Sequence, residues 1–334
     1  MPEWEPILPD GWNHNHRAFV QAFMSRGTLT FPEGQKVIAA ILSAEDDGAR
    51  RVKPDSITEE TFKFYISRTR EAIAPLDYDI RTTYHQIDRH QVWALINVHS
   101  DPSTQLATSR TPDEISFIKR VLDAMFETYN TNRQEVMAVT AAQARKLARP
   151  PTMTNNGNQN GNADGDEATQ QRGADRGLKH SEIERLLPSL VDEGWFEESD
   201  EGFYSLSPRS LLELKTWLVS TYNDPDAGEA SHQRIKFCKA CKDIVTVGQR
   251  CPDRDCAIRI HDICSEAYWR TRRGGERTCP KCQTPWTGTN YVGERAVTET
   301  AASHRRVGRK SGRKSDINDS TVDGVTEDVD DGEE

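Results

Sequence analysis

Residues 238–282 read CKACKDIVTVGQRCPDRDCAIRIHDICSEAYWRTRRGGERTCPKC and contain every cysteine of the 334-residue chain. The seven cysteines and one histidine stand in four pairs, and two or four residues lie between the members of each pair. The pairs are, in chain order, Cys238 and Cys241, Cys251 and Cys256, His261 and Cys264, and Cys279 and Cys282. Thiolates and imidazoles at this spacing present two ligands to one tetrahedral Zn²⁺, so eight ligands predict two zinc ions.

The order of the pairs is typical of a cross-braced module, in which alternate pairs share an ion. Such a module holds one ion between the first and third pairs (Cys238, Cys241, His261, Cys264) and the other between the second and fourth (Cys251, Cys256, Cys279, Cys282). The alternative is sequential pairing, which the four-residue spacer between the second and third pairs disfavours. Few large apolar residues lie between the ligands, so we expect zinc to be required for folding.

Two classes of zinc module use this ligand order, the RING and the PHD finger. The spacing suits a PHD finger slightly better, but PHD fingers usually carry a tryptophan where this chain has Arg277. RING domains that recruit a ubiquitin-conjugating enzyme typically have a proline inside the last pair and an aromatic residue in the preceding loop. Pro280 and Trp269 fit this pattern. We therefore favour a RING-like domain over residues 236–290. Its predicted contacts with a conjugating enzyme are Ile244, Trp269, Pro280 and Gln283.

The N-terminal part of the chain has the periodicity of a winged helix. Apolar residues at helical spacing predict helices over 15–25, from Phe31 and from near Ser56 or Thr58. Alternating residues then predict a hairpin with strands over 78–84 and 92–98. A capping box at Thr111 opens another helix, and a further helix is predicted from about Gln134 to Ala148. We assign residues 10–150 to this first winged-helix domain with its following helices.

The remaining segments separate clearly by composition. Residues 152–177 are rich in Asn, Gly, Gln and Asp, which predicts a disordered linker. A helix, a hairpin and a helix capped at Ser207 predict a second winged-helix domain over 178–225. Residues 296–334 predict a disordered tail, first basic and then acidic. Its basic residues could serve nuclear targeting or phosphate contact and are Arg305, Arg306, Arg309, Lys310, Arg313 and Lys314.

Charge and hydropathy exclude several classes of protein. Nine acidic residues after position 315 account for most of the net charge of −10, so the remainder is nearly neutral. The first residues lack the pattern of a signal peptide, and the longest apolar run, Val37 to Leu42, is too short to span a bilayer. We expect a soluble protein of the α+β class that is not secreted and has no membrane partner.

Three motifs together resemble a known family. They are residues 16–27 (HRAFVQAFMSRG), residues 206–214 (LSPRSLLEL) and the zinc pattern followed by Trp286. Their combination resembles non-structural maintenance of chromosomes element one, the RING-like subunit of the Smc five-six complex, over about residues 10–290. The resemblance implies tandem winged helices followed by a variant RING, and partners that are a MAGE-like winged-helix subunit and a kleisin subunit. It also implies a role in homologous-recombination repair in the nucleus, with any DNA reached through the complex.

The resemblance implies ubiquitin-ligase activity of the RING type, in which the conjugating enzyme carries the thioester. Catalysis then works by positioning, and we expect no catalytic nucleophile in this chain. Many active RINGs have Arg or Lys after the last zinc ligand, where this chain has Gln283, so the activity is predicted to depend on a partner. Two alternatives stay open. One is a purely structural zinc-stabilised subunit, and the other is a PHD-like histone reader.

Overall fold

The computed structural model describes residues 8–45, 51–99, 101–102, 109–150, 175–226, 233–272 and 277–299. Most of the predicted linker, and the predicted tail from residue 300 with its basic cluster, lie outside these residues. Residues up to Ala296 belong to one compact unit. Within the described part of the chain, no helix is both long and apolar enough to cross a bilayer.

The first part of this unit combines three helices with a three-stranded antiparallel sheet of order β1-β3-β2. Its elements are α1 (His14–Arg26), β1 (Thr28–Thr30), α2 (Phe31–Glu45), α3 (Glu59–Ile73), β2 (Tyr78–Tyr84) and β3 (Gln91–Asn97). Asn13 caps α1 by accepting hydrogen bonds from the backbone N–H groups of Asn15 and His16, and Thr58 caps α3. The three predicted helices and the hairpin are confirmed, and β1 is an addition. This order is compatible with the winged-helix interpretation.

An aromatic core fixes these helices against the sheet. Phe19, Phe23 and Phe62 are fully buried, and the ring of Phe62 meets Trp93 of β3 edge to face at 4.9 Å. Burial of each such ring contributes about 2–3 kcal/mol. Gly34 allows the close approach of α2, because a Cβ atom there would lie 2.1 Å from Phe62.

The second part has a sheet of order β4-β6-β5, whose strands come from both sides of the predicted linker. Its elements are α4 (Pro112–Asp123), β4 (Val139–Thr140), α5 (Ala141–Lys146), α6 (His180–Asp192), β5 (Phe196–Glu198), β6 (Phe203–Leu206), α7 (Pro208–Glu213) and α8 (Lys215–Tyr222). Val139 pairs with Tyr204 of β6. The sheet therefore extends beyond the 178–225 segment, although those domain limits stay a prediction.

The predicted helix from Gln134 to Ala148 is wrong in its first half. Glu135 bridges to Asn130 in an antiparallel pair, and Met137 adopts a left-handed φ of 47°, so the residues before Thr140 are not helical. Thr140 then caps the short helix α5 by accepting a hydrogen bond from the backbone N–H of Gln143. Tertiary contacts of Glu135, described below, override the helical periodicity in this stretch.

The zinc-binding segment forms the third part, with a small sheet of order β8-β7-β9. Its elements are β7 (Gly248–Arg250), β8 (Arg259–Ile260), α9 (Asp262–Arg270) and β9 (Tyr291–Val292). Its buried residues join the core of the second part, where Leu218 and Tyr222 of α8 belong to the same cluster as Ile235 and Cys238. This shared core holds the zinc module against the helices.

Candidate metal centres

The structure brings the eight predicted ligands together in two groups of four. One group is Cys238, Cys241, His261 and Cys264, and the other is Cys251, Cys256, Cys279 and Cys282. Within each group the ligand atoms all lie within 4.8 Å of one another. The grouping interleaves the four pairs along the chain, as a cross-brace requires.

The donor atoms of both groups suit a tetrahedral zinc ion. Zn–S bonds of about 2.3 Å place neighbouring sulfur atoms roughly 3.8 Å apart. The Sγ atoms of Cys251 and Cys282 are 3.4 Å apart and those of Cys256 and Cys279 are 3.5 Å apart, so little movement is needed. Burial raises the pKa of Cys256 to about 11, with the neighbouring thiols of Cys279 and Cys282 contributing. A divalent cation reverses this penalty by stabilising the thiolates, so the two groups are consistent with two zinc ions.

The two Cys-x2-Cys pairs form the same turn. Lys242 and Gln283 each follow the second cysteine of a pair, and they have left-handed φ values of 70° and 62°. The N–H of each donates to the carbonyl of the first cysteine at 3.0 Å. This turn directs both sulfur atoms of a pair toward one point, which explains the short spacing that the sequence shows.

His261 is oriented by a carbonyl on its far side. Its Nδ1 lies 3.3 Å from the Sγ of Cys241, while its Nε2 lies 3.0 Å from the carbonyl oxygen of Ile244. A carbonyl only accepts, so Nε2 carries the proton and Nδ1 directs its lone pair toward the sulfur atoms. Such a partner fixes the tautomer and the ring plane of a metal-binding histidine.

The turn between β2 and β3 contacts this same carbonyl. Gln86 donates from Nε2 to the oxygen of Ile244 at 3.1 Å, and its Oε1 accepts from the N–H groups of Thr246 at 3.1 Å and Val247 at 2.9 Å. Nearby, Arg89 donates to the carbonyl of Ile263 at 2.9 Å. The hairpin of the first part therefore supports the backbone that orients His261.

Replacing Gln86 by alanine should weaken zinc retention in the group that contains His261. The change leaves the N–H groups of Thr246 and Val247 without their acceptor and frees the Ile244 carbonyl, and loss of such a supporting contact typically costs about 10- to 100-fold in metal affinity. We expect one of the two ions to transfer to a chelator at least about tenfold faster. Gln91→Ala is the matched control, because the Gln91 side chain donates to Thr82 within the same hairpin. Equal transfer rates for both variants would refute the supporting role.

A buried carboxylate joins the zinc module to residues 130–138. Glu135 is 1% exposed, and its carboxylate accepts hydrogen bonds from Arg259 Nε at 2.6 Å and Lys236 Nζ at 2.6 Å. Arg250 Nη1 lies 3.6 Å away. Burial alone would raise the pKa of Glu135, but the hydrogen bond and charge of Arg259, with the charges of Lys236 and Arg250, lower it to about 2. Glu135 is therefore ionised and held by three cations.

The net charge of this buried cluster is positive, and the second group of cysteines lies next to it. Three cations around one carboxylate leave two positive charges, and burial lowers the pKa of Lys236 to about 8. Four thiolates around one Zn²⁺ carry two negative charges. Arg250 directly precedes Cys251, and Arg259 donates to the carbonyl of Cys256 at 2.7 Å. With zinc bound, the second group would therefore balance the two positive charges of the buried cluster.

The residues predicted to contact a conjugating enzyme differ in accessibility. Ile244 is 3% exposed and Trp269 is 7% exposed, and the Trp269 ring packs against Trp286 at 5.4 Å. Pro280 is partly exposed and Gln283 is exposed. Of these four residues, only Pro280 and Gln283 therefore offer surface, because the side chains of Ile244 and Trp269 belong to the shared core.

Gln86 and Glu135 support the zinc module, and sequence analysis missed both. Gln86 lies in a polar stretch that predicts a turn, Glu135 lies in a stretch predicted to be helical, and each has partners more than 100 residues away. The only available signal was Arg259, an arginine placed between apolar residues at Ile258 and Ile260, which predicts a buried cation in need of a counterion.

Two family models match different segments of the chain. Residues 16–214 match the family model described as the Nse1 non-SMC component of the SMC5-6 complex, and residues 238–282 match a RING-like domain model. The chain is 22% identical over 271 residues to the Homo sapiens non-structural maintenance of chromosomes element 1 homolog, which covers 81% of this chain and 83% of that protein. It is 21% identical over 285 residues to the Schizosaccharomyces pombe protein, covering 85% and 97%.

A solved structure shares the fold. A chain of the structure titled Nse1-Nse3-Nse4 complex matches with a TM-score of 0.61 at 20% sequence identity, covering 84% of this chain and 99% of that chain. At this identity the match supports the fold alone. The family model, by contrast, covers more than half of this chain. The chain therefore belongs to the Nse1 family, and its residues 238–282 form a RING-like domain with two four-ligand groups for zinc.

Proposed function

We propose that this chain is a RING-type E3 ubiquitin-ligase subunit of the SMC5-6 complex that acts in homologous-recombination repair in the nucleus. The observation that carries the proposal is the RING-like module, in which Pro280 and Gln283 beside the last cysteine pair are accessible. The proposed partners are a MAGE-like subunit such as Nse3 and a kleisin such as Nse4, since those proteins share a complex with the structural neighbour. Nuclear targeting by the basic residues 305–314 stays a prediction outside the described residues.

The proposed activity works by positioning. The conjugating enzyme supplies the thioester, and the RING restrains the attached ubiquitin in a reactive geometry. In this chain the zinc ions would hold the two cysteine turns in place, and Gln283 would be the donor nearest to the bound proteins. Because Ile244 and Trp269 are buried, contact with the enzyme would rest on Pro280, Gln283 and their neighbours.

A purely structural subunit is the second candidate. The burial of Ile244 and Trp269 and the neutral side chain of Gln283 favour it. In that role the zinc module would stabilise the complex without engaging a conjugating enzyme. A histone reader of the PHD type has less support, because the Trp269 and Trp286 rings pack on each other and are buried.

Replacing Gln283 by arginine separates the first two candidates. The side chain is exposed and its left-handed backbone accepts either residue, so the cysteine turn is retained. A charge-assisted hydrogen bond exceeds a neutral one by about 1 kcal/mol, which corresponds to a several-fold faster discharge. The measurement is single-turnover discharge of ubiquitin from a panel of conjugating enzymes, with the MAGE-like partner present and zinc content checked.

Gln283→Met provides the control, because it keeps the length of the side chain and removes the donor. We expect the rate of ubiquitin discharge with Gln283→Met to be equal to or lower than the wild-type rate. If wild type and Gln283→Arg both remain at the rate of the conjugating enzyme alone, the ligase proposal loses to the structural one.

A further inference from the structure

A second kind of ligand cluster lies at the tip of the hairpin formed by β2 and β3. His85 and His90 stand opposite each other, since the N–H of His85 donates to the carbonyl of His90 at 2.9 Å. Their rings stack at 4.9 Å, and Asp88 in the turn lies beside both. Its Oδ2 is 3.2 Å from Nδ1 of His85 and 3.9 Å from Nδ1 of His90. Two imidazoles and a carboxylate thus lie close together at the hairpin tip.

These distances are close to those of a metal site. Bonds of about 2.0–2.1 Å to nitrogen or oxygen place neighbouring ligand atoms of a tetrahedron roughly 3.3 Å apart. The ligand atoms of the three residues already lie within 4.8 Å of one another. His90 and Asp88 are exposed, so small rotations of their side chains can close the remaining distance.

The third ligand, His85, is held in place from behind. It is only 13% exposed in its side chain, and its Nε2 lies 3.2 Å from a carboxylate oxygen of Glu197 in β5. A carboxylate accepts the Nε2 proton and leaves the lone pair of Nδ1 on the side of Asp88 and His90. At present Nδ1 accepts the N–H of Asp88 at 3.1 Å, and an ion would take the place of that contact.

The surroundings favour a cation. The carboxylates of Asp88 and Glu197 each lie 3.2 Å from a ring nitrogen of His85. Two carboxylates beside one imidazole make the local potential negative, which favours a divalent ion. His85, Asp88 and Glu197 line a cavity of about 630 Å³ that has room for a water molecule as fourth ligand.

We propose that His85, Asp88 and His90 form a third metal site, which takes Zn²⁺ or a similar divalent transition ion and is oriented by Glu197. Imidazole ligands select such ions over Mg²⁺ and Ca²⁺, which prefer oxygen. The site is separate from the two groups that contain cysteine and does not depend on ubiquitin-ligase activity. It would fix the hairpin tip that also carries Gln86.

The test uses the full chain loaded with two zinc ions and titrated with further zinc by calorimetry. We expect a third equivalent to bind. His90→Gln should lower its affinity at least tenfold, and Glu197→Gln should lower it about tenfold or more by releasing His85. His99→Gln is the matched control, because His99 lies 3.9 Å from Asp77 as a single histidine beside a carboxylate. It should leave the third equivalent unchanged.

Cobalt supplies a second readout. Co²⁺ added to the zinc-loaded chain should give an absorption spectrum without thiolate charge-transfer bands, since the proposed ligands are nitrogen and oxygen. Binding that stops at two ions per chain would overturn the proposal. So would a third ion with thiolate bands, or one whose affinity His90→Gln does not change while the melting temperature shows that the variant is folded.

Discussion

Replacing Cys251 by serine is expected to reduce the zinc held by the two cysteine-containing groups from two ions to one. Cys251 shares its group with Cys256, Cys279 and Cys282, and serine is a poor ligand for zinc at neutral pH. Binding of a structural zinc ion contributes on the order of 10 kcal/mol to folding, so loss of the second ion should unfold its half of the module. Metal content measured by mass spectrometry and by a colorimetric chelator reports the effect directly.

The pairing of the four cysteine pairs decides how variants combine. Because Cys279 lies in the same group, Cys279→Ser should lose the same ion, and the double variant with Cys251→Ser should still retain one. Cys251→Ser combined with Cys264→Ser should lose both ions, since Cys264 belongs to the other group. The cross-brace would be contradicted if the variant with Cys251→Ser and Cys279→Ser lost both ions while the variant with Cys251→Ser and Cys264→Ser retained one.

Local chemistry made much of the architecture predictable from sequence. The caps at Asn13 and Thr58 act within three residues, and the alternation in β2 and β3 depends on a single hairpin. The cysteine pairs are local as well, because each turn, Cys238 to Lys242 and Cys279 to Gln283, needs only five consecutive residues. The order of pairs along the chain then leaves few ways to form two tetrahedral sites.

Contacts between distant parts of the chain could not be predicted in the same way. Strand β4 pairs with β6 across the predicted linker, and a two-residue strand carries no periodicity that could mark it. Ile244 is predicted from the sequence as a partner contact, yet it is 3% exposed and belongs to the core that the zinc module shares with the second part. Glu135 follows a run of polar residues, so its burial depends on three cations that lie about 100 residues later.

Replacing Glu135 by glutamine should destabilise the unit that contains the zinc module. The amide keeps the size of the side chain but leaves the charges of Arg259, Lys236 and Arg250 uncompensated in a buried site. Removal of one partner from a buried ion pair costs about 3–5 kcal/mol. For a unit of this size that loss corresponds to a fall of roughly 10 °C in melting temperature. The measurement is a thermal melt with zinc in excess and a reducing agent present.

Glu184→Gln is the control for the loss of a negative charge. Glu184 pairs with Arg145 at 3.1 Å on the surface, where such pairs contribute about 0–1 kcal/mol, so its melting temperature should stay within about 2 °C of wild type. Arg259, which Glu135 holds, donates to the carbonyl of Cys256 at 2.7 Å, so loss of the carboxylate should also loosen the second zinc group and speed zinc transfer to a chelator. Equal melting temperatures for the two variants would show that Glu135 contributes no more than a surface carboxylate, and the proposed coupling between residues 130–138 and the zinc module would fail.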